Sequence, residues 1–146
     1  DPLGGETIVA TRGGGAWRGG ERLSIAPPKS GDPVIGSVSK KYMRSDERRW
    51  ADGVGAAFPP ARSLFCAGAE YAAIATGARQ FAAFRRLMPW DHAAGALIVN
   101  EAGGESALAP DRAAYRPSVL DGSLLTAASA QLWTDIAAAG ARGAAA

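Results

Sequence analysis

The sequence predicts an α/β fold, a layered sandwich with a mixed central sheet flanked by helices. Three observations carry this expectation. Short β-prone runs recur at residues 6–11, 33–38, 80–84, 106–109 and 124–128. Alanine-rich helical stretches stand between the later ones, and glycine or proline punctuates nearly every junction. The chain has 146 residues, 47% of them hydrophobic, which suits one domain with its own core.

Taken in order, residues 6–11 (ETIVAT) and 22–25 (RLSI) read as a hairpin with a glycine-rich connection, since Gly13, Gly14, Gly15, Gly19 and Gly20 lie between them. Pro27 and Pro28 break regularity before the β-prone segment 33–38, whose leading proline suits the first residue of a strand. Residues 40–50 are densely charged and read as a solvated helix or a mobile connection, and residues 53–60 as loop. Residues 62–65 (RSLF) predict a short strand running into a helix over 67–76, which Gly77 ends. After the strand at 80–84, Pro89, Trp90 and Asp91 introduce a helix over 92–102, closed by Gly103 and Gly104. Residues 112–122 read as a polar loop and a final helix spans about 129–138. The tail 139–146, almost wholly Ala and Gly, has little to bury and is expected to fray.

Composition removes several function classes. No apolar run reaches the roughly 20 residues of a membrane-spanning helix. The single cysteine, Cys66, and single histidine, His92, cannot build a disulfide or a four-ligand Cys/His zinc site. A net charge of +2 gives no reason to expect a nucleic-acid partner. Lys40, Lys41, Arg48 and Arg49 read as solvating charges, with no aromatic interleaving of the kind that stacks bases. Gly13–Gly15 opens no helix and is no nucleotide-binding fingerprint. The chain starts at Asp1 without an initiator methionine or leader pattern and reads as a part cut from something longer.

The sharpest local feature is Trp90-Asp91-His92-Ala93-Ala94-Gly95, continuing to Glu101-Ala102-Gly103-Gly104. On the residues alone, Asp91 is either a helix N-cap or a carboxylate placed to hold a cation where strand meets helix. The whole run resembles a signature of the inositol monophosphatase family, magnesium-dependent, lithium-sensitive phosphatases with the pattern W-D-x-A-A-G, an apolar stretch and E-A-G-G. Gly5-Glu6 through Gly15-Ala16-Trp17 resembles the family's strand and G-x-G-A-aromatic turn, and residues 62–77 its segment ending in A-T-G. The resemblance runs from Asp1 to about Ala138 and corresponds to the C-terminal half of a complete member, making residues 1–138 its C-terminal domain.

The resemblance implies that Asp91 is a ligand for Mg2+, with the other carboxylates supplied by an upstream Glu and a D-P-[IL]-D-G-T motif. Asp1-Pro2-Leu3-Gly4-Gly5 does not supply that motif, because Gly4 stands where the second carboxylate belongs. It also implies substrate contacts from Phe65, Cys66 and Ala67, ahead of a helix whose N–H groups can face an anion. The alternative for these three is an ordinary turn, and Cys66 reads as a buried inert thiol. As a cysteine-phosphatase nucleophile it would need an arginine where Ala72 stands. Phe84 occupies the position at which inositol-hydrolysing members carry a Glu that binds substrate hydroxyls, and a phenyl ring accepts no such bonds. Arg85 and Arg86 follow, either as a solvated basic pair or with one meeting a second phosphate or a carboxylate on a different substrate. His92 is expected behind the site or at the surface.

The function so implied is a phosphomonoesterase that hydrolyses a small phosphorylated metabolite with metal-activated water. This chain would be inactive until joined by its missing N-terminal domain. The implied setting is the cytoplasm, with a homodimer plausible and no membrane or nucleic-acid polymer involved. The alternatives are a bisphosphate nucleotidase or sugar bisphosphatase of the same superfamily, or a non-catalytic anion-binding module.

Overall fold

A computed structural model describes residues 4–145, so Asp1, Pro2 and Leu3 of the Asp1-Pro2-Leu3 segment and Ala146 lie outside the described residues. Its main sheet has five strands in the order β4 (Gly36–Val38), β5 (Phe81–Arg86), β8 (Asp121–Ala127), β6 (Glu105–Ala109), β7 (Ala113–Ala114). β4 and β5 run parallel and the other neighbours are antiparallel, so the sheet is mixed, as expected.

Alternation along β5 sorts its side chains onto two faces. Phe81 meets Phe58, the residue that caps the C-terminus of α1 (Ser45–Ala57), with ring centroids 6.2 Å apart, and Trp133 of α4 (Ala130–Ala145) donates its indole N–H to the Leu125 carbonyl at 2.9 Å. On the opposite face, Phe84 stacks with Tyr71 of α2 (Ala67–Ala75) at 5.3 Å and with His92 of α3 (Pro89–Glu101) at 4.8 Å. The core is filled by Phe81, Ile74, Val99, Leu125 and Ile136, all fully buried. By area, burying a side chain of this size stabilises by about 1.5–3 kcal/mol.

A second sheet, β1 (Ile8–Thr11), β2 (Gly15–Arg18) and β3 (Glu21–Leu23), is an antiparallel meander that packs on the outer side of α3. The expected hairpin is therefore three strands. The glycines form two turns with β2 between them, each turn placing glycines at positive φ. Glu101 ties this sheet to α3, its carboxylate accepting the N–H groups of Gly13 (2.8 Å) and Gly15 (2.9 Å), while Ile25 N–H reaches the Ala102 carbonyl at 2.8 Å. With a sheet on either side, α3 is covered on most of its circumference, which explains its near-continuous apolar sequence.

Several expectations change. Residues 62–65 form no strand, because their polar groups turn to a buried carboxylate. Leu64 N–H and the Ser63 hydroxyl both donate to Glu70 Oε1, at 2.8 and 3.2 Å. Residues 53–57, expected as loop, are the last turns of α1, and the helix in the charged stretch begins only at Ser45. The polar loop 112–122 contains β7 and the start of β8. Most instructively, the Ala/Gly tail is helical to Ala145. A Cβ on Gly143 would lie 2.4 Å from Gly53 Cα, and one on Gly140 would lie 2.1 Å from Trp50 Nε1, so the missing side chains are what let α4 close against α1.

Candidate active site

The chain enters β5 from α2 and leaves it into α3, so both helices run antiparallel to β5 and parallel to one another. Their N-termini consequently lie at the same end of the domain as the carboxyl ends of the parallel strands β4 and β5. In open α/β sheets this end is where ligands bind. Asp91, Phe65, Cys66 and Ala67 are thereby brought to one end of the molecule.

The N-cap of α3 is Met88 and Pro89 occupies the first helical position, so Asp91 sits two residues further in and is not the cap residue. Its carboxylate is exposed and forms no hydrogen bond or ion pair with any described residue. A negative charge in the first helical turn is favoured by the helix dipole. The position therefore suits a carboxylate left uncommitted by the described residues.

His92 anchors this turn from below. It is buried rather than at the surface, with Nε2 3.0 Å from the Arg86 carbonyl oxygen and Nδ1 3.0 Å from the Tyr71 hydroxyl. A carbonyl only accepts, so Nε2 carries the proton and donates, and Nδ1 accepts from Tyr71. Burial pushes the His92 pKa below its ordinary value, outweighing the upward pulls of the Arg86 carbonyl and the Asp91 charge. Burial pushes the Tyr71 phenol up, which keeps it a donor. Sequence reasoning missed Tyr71. The only signal was Gly95, where a Cβ would lie 2.1 Å from the Tyr71 ring.

Phe84 is half-buried within the stack of Tyr71 and His92, directly beneath the first turn of α3. Phe65 adopts φ 57°, is 81% exposed, and lies 5.7 Å below the Arg62 guanidinium. Cys66 is the N-cap of α2 and Ala67 its first residue. The thiol is exposed, contrary to the expected buried state, because the left-handed turn at Phe65 lifts both residues off the core. The turn rests on Glu70, itself buried and bound by Arg79 Nη1 at 2.6 Å.

The arginine pair separates. Arg85 points to the α1 side, buried in ion pairs with Glu47 and Asp121, and is not available as a solvated charge. Arg86 is exposed. Among the described residues no group of three or more His, Cys, Asp and Glu side chains converges as a metal cage would require. Among them, too, no helix is long and apolar enough to cross a membrane.

Residues 1–142 match the inositol monophosphatase family. The chain belongs to that family. A fructose-1,6-bisphosphatase/inositol-1-monophosphatase of Thermotoga maritima is 32% identical over 105 residues, 68% of this chain and 38% of the relative. An inositol monophosphatase from Anabaena superposes with a TM-score of 0.76 at 19% identity, over 97% of this chain and 59% of that one. The inositol monophosphate-bound SaIMPase-II gives 0.80 at 22% identity, over 94% of this chain and 53% of that one. The extragenic suppressor protein suhB from Bartonella henselae gives 0.80 at 23% identity, over 97% and 54%. The chain thus spans little more than half the length of these inositol monophosphatase folds, and less of the Thermotoga relative.

Proposed function

We propose that this chain is the C-terminal part of a divalent-metal-dependent phosphomonoesterase acting on a small phosphorylated metabolite. The observation that carries this reading is the Asp91 carboxylate, exposed and without a hydrogen-bond or ion-pair partner among the described residues at the first turn of α3, within the family's W-D-x-A-A-G pattern. Family membership supports it.

The described residues do not by themselves fit a magnesium ion, which needs several convergent oxygen ligands, and Asp91 offers one carboxylate. In this reading the remaining carboxylates belong to a portion of the gene product outside these residues. A bound divalent ion would supply charge neutralisation on the phosphoryl oxygens and a more acidic water. This chain's own part is positional. His92 and Tyr71 hold the first turn of α3, and the N-terminus of α2 behind Phe65, Cys66 and Ala67 presents N–H groups suited to an anion.

The test is phosphate release by the complete gene product with magnesium. Activity that is lost on chelation, and lost with Asp91→Asn in a protein of unchanged Tm, supports the reading. A complete, folded and magnesium-supplied protein that releases no phosphate from inositol, sugar or nucleotide phosphates points instead to a non-catalytic anion-binding module. The homodimer and the cytoplasmic setting implied by the resemblance belong to the same proposal.

A further inference from the structure

We propose that Glu70 is a positioning residue for substrate binding. It holds the Phe65–Ala67 turn at a fixed place relative to Asp91, and so sets how tightly the substrate is bound without touching the reacting atoms. This inference rests on the phosphatase reading above, in which that turn meets the substrate.

The turn does not hold its shape by itself. Phe65 stands at φ 57°, where an L-residue crowds its own backbone, and its ring is exposed, so neither local preference nor burial keeps it there. What keeps it is a set of hydrogen bonds that converge on one carboxylate. Glu70 Oε1 accepts the Leu64 N–H at 2.8 Å and the Ser63 hydroxyl at 3.2 Å, and that hydroxyl oxygen in turn accepts the Phe65 N–H at 3.0 Å. Glu70 Oε2 accepts Arg79 Nη1 at 2.6 Å, while Arg79 Nη2 donates to the Arg62 carbonyl at 2.6 Å. Residues 62–65 are thus gripped one after another by a buried glutamate and its arginine.

The charge of Glu70 serves this turn and not its own helix. An acidic residue in the first helical turn ordinarily offsets the positive end of the helix, but Glu70 is neutralised by Arg79, and Cys66 at the N-cap makes no side-chain cap. The next residue, Tyr71, fixes α2 to α3: its hydroxyl meets His92 Nδ1 at 3.0 Å, and its ring fills the space that a side chain at Gly95 would occupy. Adjacent residues of α2 therefore do two separate jobs. Tyr71 sets α2 against the turn that carries Asp91, and Glu70 sets the Phe65–Ala67 turn against α2. Loss of Glu70 releases the second contact and leaves the first in place, so substrate affinity and metal use come apart.

The complete gene product is assayed well below its Tm, as wild type and as Glu70→Gln, which keeps the side chain's size but turns an amide toward Arg79. The substrate is whichever inositol, sugar or nucleotide phosphate the wild type hydrolyses fastest. The expected result is a KM about tenfold higher, with kcat and the magnesium concentration for half-maximal rate each within about twofold of wild type. A lowered Tm with an unchanged KM marks a purely structural residue and overturns the proposal, as does a fall in kcat or in magnesium use that matches the change in KM. Where Glu70→Gln does not fold, Ser63→Ala, which removes the acceptor of the Phe65 N–H, decides by the same split at about threefold. If the wild type hydrolyses none of the phosphates, the phosphatase reading fails and Glu70 is judged without turnover. Cys66 is exposed beside Phe65, and its alkylation by iodoacetamide is isolated by subtracting the Cys66→Ala protein. Protection by inorganic phosphate that is present in wild type and lost in Glu70→Gln keeps the positioning role. Protection equal in the two proteins, or absent from both, overturns it.

Discussion

The seam between α1 and α4 and the end of the domain that carries Asp91 are built by opposite rules. At the seam Gly53, Gly140 and Gly143 let the two helices close, and Arg85 is neutralised twice. At the other end Phe65 and Trp90 are 81% and 79% exposed, Phe65 is left-handed, and Asp91 and Arg86 form no ion pair with any described residue. Groups that satisfy every local rule mark where a fold is stabilised, and groups that break several rules together mark where something else is meant to arrive.

Four experiments sharpen this contrast. The largest effect is expected from Arg79→Met, which strands the buried Glu70 carboxylate beneath the Phe65 turn. Breaking such a pair costs about 3–5 kcal/mol, measurable by urea denaturation, and a loss below about 1 kcal/mol would show that the turn does not depend on it. Next is Asp91→Asn, which should lower phosphate release by the complete gene product at least about a hundredfold. Its Tm should stay near wild type, since exposed substitutions usually change stability by less than about 0.5 kcal/mol. Equal losses of activity and stability would erase the distinction between the two regions.

Third, Gly143→Ala should destabilise by about 1–3 kcal/mol, because its Cβ falls on backbone that cannot swing away. A neutral result would mean that the end of α4 stands off from α1. The smallest effect is expected from Glu101. The Gly13 and then the Gly15 N–H hold its carboxyl below the usual range, so its contribution is present above the unfolded pKa and is lost as pH falls through the lower folded value. In Glu101→Gln the fall in urea midpoint between about pH 6 and about pH 3 should be shallower than in wild type.

Legibility in the sequence followed the range of the interactions. The α3 segment was readable because strand exit, proline start, apolar body and double-glycine stop are all local to it. β2 was not, since four residues between glycine turns carry little pattern of their own and acquire it only by pairing with β1 and β3. The end of α4 was misread for a related reason. Ala and Gly show no apolar stripe, and the partners that reward their smallness, Trp50 and Gly53, lie far back in the chain. In the candidate site, Asp91 was visible through its motif, whereas the Tyr71–His92 clamp and the meeting of Arg86 with Tyr42 join distant positions and exist only after folding.

The tether at Glu101 has a consequence at the far end of its helix. Secured to the glycine turns at one extremity and by His92 at the other, α3 has no freedom to piston between its two sheets. The height at which it offers Asp91 is therefore constant, and on the phosphatase reading any adjustment to the size of an incoming ion or ester would have to come from groups outside this helix.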